Sequence, residues 1–254
     1  MRCIKFNDFE IFAEPLRAID IDAHSKYIIN TINPHSFVIS SNDECFKKAL
    51  QNSDILIPDG IGIVYSIRLL TGEKITKIAG YDLFIYLLDI IHKNNLKCFF
   101  LGSSHNTLKK LYKKLQYEYP NIKVDILSPP FKDEFNDEDN VQIINKINQF
   151  IPDVLFVGMT APKQEKWVYK NKQHLNVKLI ASIGAVFDFY AGTVKRPDDL
   201  WVKIGLEWLV RFMREPKRLF KRNVISMPIF LFTILKQYIK SIYLFRIKKI
   251  FSRS

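Results

Sequence analysis

The sequence predicts an α/β fold, a largely parallel, Rossmann-like sheet with helices on both faces, followed by a basic and apolar C-terminal appendage. Three observations carry that prediction. Short apolar runs alternate with stretches of helical spacing through residues 27–183. Those runs are continuously apolar rather than alternating, the pattern of strands covered on both faces. Charge is divided unevenly: of 38 Lys+Arg and 26 Asp+Glu, residues 211–254 hold 12 and 1, so residues 1–210 are nearly neutral and carry 26 and 25.

Taken in order, the predicted strands are residues 27–31, 54–58, 97–101, 122–127, 153–157 and 177–183. Between them, residues 42–51 open on polar capping residues, and residues 62–70 and 81–92 space their apolar residues three and four apart. Residues 107–117 are amphipathic and lysine-rich, and residues 137–150 begin on an acidic turn suited to the positive end of a helix. Ligands of such sheets bind beyond the carboxyl ends of the strands. The composition step near Arg211 divides the chain into residues 1–210, a catalytic α/β domain, and residues 211–254, a basic amphipathic appendage that associates with membranes.

Composition excludes several classes. Cys3, Cys45 and Cys98 lie far apart with no C-x-x-C pair, which points away from zinc and disulfide frameworks and toward a reducing cytoplasm. The opening residues, MRCIKFNDFEIF, have no uninterrupted apolar core, so no secretory signal peptide is expected. A spanning helix needs about 20 apolar residues. The best stretch, residues 224–235, is bounded by Arg222 and Lys236 and interrupted by Pro228. A pI near 9.5 also fits a basic protein of membrane surfaces or nucleic acid without enzymatic activity. Interleaving of the tail cations with long aliphatic and aromatic residues favours an anionic lipid interface, with Phe230, Phe232, Tyr243 and Phe245 facing the lipid, and argues against nucleic acid.

Four clusters carry candidate chemistry. Thr31 and Asn33 end the first strand, while Asp59, Gly60 and Gly62 follow the second, so a hydroxyl, an amide and a carboxylate share one crevice. Asp59 sits between Pro58 and Gly60, where the chain turns sharply and backbone can approach a ligand. Tyr65 stands where a dinucleotide fingerprint needs its third glycine, which argues against that fingerprint. Gly158 precedes Pro162, Lys163 and Gln164 at a strand-to-helix turn, where free N–H groups make an anion site that Lys163 and Gln164 would complete. Asp188, flanked by aromatics, reads either as a pocket wall or as a buried structural acid. Asp20-Ile21-Asp22 has the D-x-D form of a metal-nucleotide ligand but lies in a weakly patterned segment, and the five histidines have no ligand spacing; no metal is expected.

Together these clusters resemble the WecG/TagA/CpsF family of bacterial glycosyltransferases. The resemblance runs from about Tyr27 to Arg218 through Thr31-Ile-Asn33-Pro34, Pro58-Asp59-Gly60-Ile61-Gly62, Gly80-Tyr-Asp82-Leu83, the Gly158 to Trp167 turn, the Gly184 to Gly192 run, and Gly205-Leu-Glu207-Trp208 with Arg211 and Glu215-Pro216. It implies inverting transfer of a hexose or N-acetylhexosamine such as N-acetylmannosamine from a UDP-sugar to an undecaprenyl-diphosphate-linked saccharide. That transfer serves cell-surface polysaccharide or teichoic acid synthesis at the inner membrane face, with no essential metal and no cofactor. By position Asp59 corresponds to the general base, Thr31, Asn33 and Gln164 to the sugar-nucleotide pocket, and Arg211, Arg214 and Arg218 to cations for the diphosphate and the membrane. The resemblance fits a cytoplasmic, peripheral enzyme and is compatible with a homo-oligomer. One departure stands out: the family's Arg-Ala-Pro is here Arg196-Pro197-Asp198.

Overall fold

The protein, described here from a computed structural model, is ordered around a six-stranded sheet; the described residues are 1–19, 21, 26–198, 200–201 and 205–251. The strands are β3 (Tyr27–Ile32), β4 (Ile55–Pro58), β5 (Lys97–Gly102), β6 (Lys123–Leu127), β7 (Val154–Gly158) and β8 (Leu179–Ser182). They lie in the order β4-β3-β8-β7-β5-β6, and every neighbouring pair is parallel. All six strands anticipated from the apolar runs are present to within a few residues. Their parallel order brings all six carboxyl ends to one edge, which gathers residues far apart in sequence.

Helices cover both faces. On one, α4 (Gly80–Lys93), α5 (His105–Glu118) and α8 (Val186–Tyr190) pack Phe84, Leu87, Leu111 and Tyr190 onto Ile29, Phe100 and Phe156. On the other, α6 (Asp137–Phe150) and α7 (Lys163–Asn171) set Ile143, Ile147, Trp167 and Val168 against Ile28, Leu155 and Ile180. Each fully buried Phe, Leu or Ile contributes roughly 1.5–3 kcal/mol by leaving water, so the central strands, buried on both faces, anchor the fold. Helix starts follow their capping residues. Asn33 caps α1 (Pro34–Ser40), Asp43 caps α2 (Glu44–Gln51), and Asn136 closes a capping box on α6.

A third cluster lies at the β4 edge. The N-terminal hairpin, β1 (Cys3–Phe6) with β2 (Phe9–Phe12), was not among the predicted elements. It buries Phe6, Phe9 and Ile11 against Phe37 of α1, Phe46 of α2, Ile63 and Ile67 of α3 (Ile61–Thr71), and Phe230 and Ile234 from the tail.

The tail consists of α9 (Glu207–Arg214), α10 (Pro216–Phe220), a π-helical turn (Lys221–Ser226) and α11 (Met227–Phe251). The composition step at Arg211 falls inside α9. The tail does not stand wholly apart: Leu219, Ser226, Phe230 and Ile234 are buried. Phe230 is therefore a core residue, because its ring meets Phe37 edge-on at 5.3 Å, and it is not the lipid-facing aromatic that its place in an apolar run suggested. Among the described residues no helix is long and apolar enough to cross a membrane.

Candidate active site

The carboxyl edge of the sheet gathers Asn33 after β3, Asp59 after β4, Ser103 after β5, Met159 after β7 and Gly184 after β8. Asp59 is fixed by its backbone N–H, which donates to the Ile32 carbonyl at 2.9 Å. Gly60 then takes φ +106°, a conformation that side chains rarely adopt, and starts α3 beside Asn33 and Pro34. The Asp59 carboxyl keeps some contact with solvent but is recessed among protein atoms. That burial raises its pKa; Arg222, Lys77 and Arg211 pull it back down, and Glu207 pushes it further up.

Five ionisable groups thus converge: two carboxylates, Asp59 and Glu207, and three cations, Lys77, Arg211 and Arg222. Glu207 stands 3.9 Å from Lys77 and 3.8 Å from Arg211. Arg211 is mostly buried, with its guanidinium 4.9 Å from the Phe189 ring centre. Burial and Arg222 lower its pKa, Glu207 and Asp59 raise it, and an arginine stays charged throughout. The cluster carries one net positive charge before any ligand arrives, in a recess where charges are weakly screened.

Only one of the three tail arginines named from the sequence faces Asp59. Arg214 instead donates to the Lys195 carbonyl at 2.9 Å, tying α9 to the 193–198 segment, and Arg218 pairs with Glu215 at 2.5 Å, half exposed. Arg222 and Lys77 stand beside Arg211 in their place. Sequence reading gave neither a role, because each is one charge among many, and it named Glu207 only as part of the Gly205-to-Trp208 motif without placing it in the site. Arg222 is held there by the π-helical turn, whose Ser226 hydroxyl is hydrogen-bonded to His35 Nδ1 at 2.8 Å. Burial, with Arg222 and Lys221 nearby, lowers the His35 pKa to about 4.

The remaining predicted residues divide. Thr31 lies beside Ile57 in the strand register, half-buried at the end of β3. Asn33 spends its side-chain oxygen on the N–H groups of His35 and Ser36, so only its amide nitrogen is left toward the crevice. Gly62 and Gly158 serve close packing: a Cβ on Gly62 would lie 2.8 Å from Pro34, and one on Gly158 would lie 2.4 Å from the Phe187 ring. Asp188 accepts hydrogen bonds at one oxygen from Ser103, Thr107 and Thr193, which fits the structural acid among its two sequence readings.

Gln164 is buried, its Oε1 accepting from the N–H groups of Met159 and Gly184 at 3.2 and 3.1 Å. Lys163 lies 3.8 Å over the Phe135 ring. Neither completes the anion site expected at the start of α7, because the amide is spent on two loops and the lysine on a ring. Arg196 stacks on Tyr81 at 4.2 Å and approaches Asp82 at 3.4 Å. Asp20 and Asp22 lie outside the described residues.

A nearly neutral α/β body with a carboxylate at the switch edge and cations opposite it suits transfer of a group from an anionic leaving group. The sequence model described as the glycosyl transferase WecG/TagA/CpsF family matches residues 5–242. The chain belongs to that family. It is a glycosyltransferase by that membership, and it is similar to three bacterial enzymes named N-acetylglucosaminyldiphosphoundecaprenol N-acetyl-β-D-mannosaminyltransferase. The Bacillus subtilis (strain 168) enzyme is 32% identical over 227 residues, 89% of this chain and 86% of its own. The Bacillus spizizenii W23 enzyme is 27% identical, covering 92% and 89%, and that of Staphylococcus aureus MW2 is 28% identical, covering 82% and 79%.

Proposed function

We propose that this glycosyltransferase moves an N-acetylmannosamine-type sugar from a UDP-sugar to an undecaprenyl-diphosphate-linked N-acetylglucosamine, with inversion and without a metal. The observation that carries the reading is Asp59 at the end of β4, facing Lys77, Arg211 and Arg222. The names of the relatives support the donor sugar and the acceptor.

In this reading Asp59 takes the proton of the acceptor hydroxyl as its oxygen attacks the anomeric carbon. Attack comes from the face opposite the diphosphate, which breaks the glycosidic C–O bond and inverts the centre. Burial makes the carboxylate a stronger base than a solvated one, and Arg222, Lys77 and Arg211 offset part of that rise by favouring its ionised form. The departing UDP carries the charge of the broken bond, and Lys77, Arg211 and Arg222 meet it in the recess. Thr31, Gly60 and the Asn33 amide nitrogen border the sugar.

The acceptor stays in a bilayer, so the enzyme works at the inner membrane surface. Ile229, Leu231, Phe232, Leu235 and Ile239 are exposed along α11 beside Lys236 and Lys240, which suits an anionic interface. The testing experiment is a donor panel assayed by UDP release on a short-chain lipid-diphosphate acceptor, with Asp59→Asn alongside. Turnover of Asp59→Asn is expected to fall about 10²- to 10⁴-fold with UDP binding retained. Unchanged turnover would remove Asp59 from the mechanism, and no release with any donor would overturn the reading.

A further inference from the structure

We propose that Glu165 is a positioning residue for the transfer: its carboxyl sets which way the Gln164 amide faces, and that amide pins together the two loops after β7 and β8. The proposal rests on the glycosyltransferase reading above for its consequence and on the following geometry for its substance.

A glutamine amide has one accepting and one donating end. Here the accepting end receives two backbone N–H groups, those of Met159 and Gly184. A reversed amide would set its own N–H groups against two donors, leaving all of them buried without partners. The next residue holds that orientation from the amide's other end. Gln164 Nε2 donates to Glu165 Oε1 at 2.8 Å, and both side chains are almost wholly buried. Gly184 takes φ +60°, and a Cβ there would lie 3.9 Å from Gln164 Nε2. Met159 leads into the turn before α7, and Gly184 leads into α8, whose Phe187 ring presses on Gly158. Two of the loops bordering the crevice are therefore joined through one amide.

The carboxyl is costly where it stands. Glu165 Oε2 has no hydrogen-bond partner among the described residues, and neither do Asn30 Oδ1 and Ser182 Oγ. The latter two are next in register on β3 and β8, on the sheet face that α7 covers. Burial raises the Glu165 pKa to about 7. An apolar side chain would fill the same volume with no stranded oxygen, so a purely packing role does not account for an acid at this position.

The test compares Glu165→Gln, Glu165→Met, Gln164→Glu and the exchanged pair Gln164→Glu/Glu165→Gln in the full chain. Readouts are kcat and KM for the UDP-sugar, amide hydrogen exchange at Met159 and Gly184, and the thermal midpoint. Glu165→Gln keeps an accepting oxygen and stays within about threefold of wild type. Glu165→Met fills the volume without an acceptor; it folds, exchanges faster at both amides, and loses about 10- to 100-fold in kcat/KM. Gln164→Glu sets two carboxyls face to face and suffers a similar loss. The exchanged pair restores activity, because a carboxylate at 164 accepts both backbone N–H groups and the amide now at 165. Failure of the exchanged pair to improve on Gln164→Glu would overturn the proposal, as would a folded Glu165→Met with wild-type exchange and turnover. Absence of transfer by the wild type would count against the function alone, since the exchange measurements judge the positioning independently.

Discussion

Replacing Phe230 by alanine asks whether the first half of the tail belongs to the folded body. The ring is fully buried, meets Phe37 edge-on, and lies over α3 so closely that a Cβ on Gly62 would be 3.6 Å from it. A buried phenylalanine removes about 150–250 Å² from water, worth roughly 4–6 kcal/mol at 25 cal/mol per Å², an upper bound because the unfolded chain is itself partly compact. Phe→Ala exchanges in cores cost about 3–5 kcal/mol. Taking about 3 kcal/mol for a site at the rim of the core, the undocked tail becomes on the order of 100-fold more populated. If undocking and unfolding are one event, the thermal midpoint instead falls by about 6–12 °C. Tryptic cleavage at Lys221 and Arg222 together with a melting curve separates the two, and transfer should fall in both, because Arg222 loses its support. Phe232, two residues on and 69% exposed, serves as the control: Phe232→Ala should leave cleavage and melting unchanged and weaken liposome binding. Wild-type cleavage, melting and transfer in Phe230→Ala would refute the docking argument.

Other outcomes follow from the same geometry. Transfer should persist in excess EDTA, and restoration by manganese or magnesium after its loss would return the diphosphate charge to a metal. Glu165, raised from 4.5 to about 7, favours the fold fully below pH 4.5 and loses that contribution as pH rises to 7; Glu165→Gln should flatten that part of a stability–pH curve. His35, lowered from 6.5 to about 4, acts oppositely: its contribution is complete above pH 6.5 and is lost as pH falls toward 4, so His35→Gln should stabilise acidic samples relative to wild type. A chain ended after Leu235 keeps Phe230 and Ile234 in the core and sheds Lys236 and Lys240; it should fold and no longer sediment with anionic liposomes.

The sheet was legible because its strands are apolar on both faces, so even short runs such as Ile55–Pro58 announce themselves. Helices were legible for a local reason too, as with the acidic first turn of α6. Asp59 could be picked out because a proline, an acid and a glycine after a buried strand define a turn at the ligand-binding edge. The hairpin does carry a local signal, since Cys-Ile-Lys-Phe and Phe-Glu-Ile-Phe flank Asn7-Asp8 in alternation, but its strands are only four residues each and lie where a leader segment would. Phe230 and Phe232 could not be told apart, since only two residues of helical rotation, about 200°, separate the core-facing ring from the surface one and the apolar run has no polar stripe to fix its phase. Lys77 and Arg222, and the role of Glu207 within its motif, were illegible for a different reason: their significance is their closeness to Asp59, which no local pattern encodes.

The π-helical turn at Lys221–Ser226 fixes that phase mechanically. Each residue of an α-helix advances the side chains by about 100°, and a π-bulge inserts the equivalent of one extra residue. The bulge therefore absorbs one residue between the part of the tail that presents Arg222 and the part that seats Phe230 and Ile234, keeping the two in phase. Loss of one residue within it would let the turn close as ordinary α-helix at nearly the same angle, whereas gain of one more would swing the seated face by about 100° out of its groove and bring Ile229 round in its place. Most substitutions there would leave the angle intact. Over this stretch the chain should thus vary freely in spelling and tolerate the loss of a residue better than the gain of one.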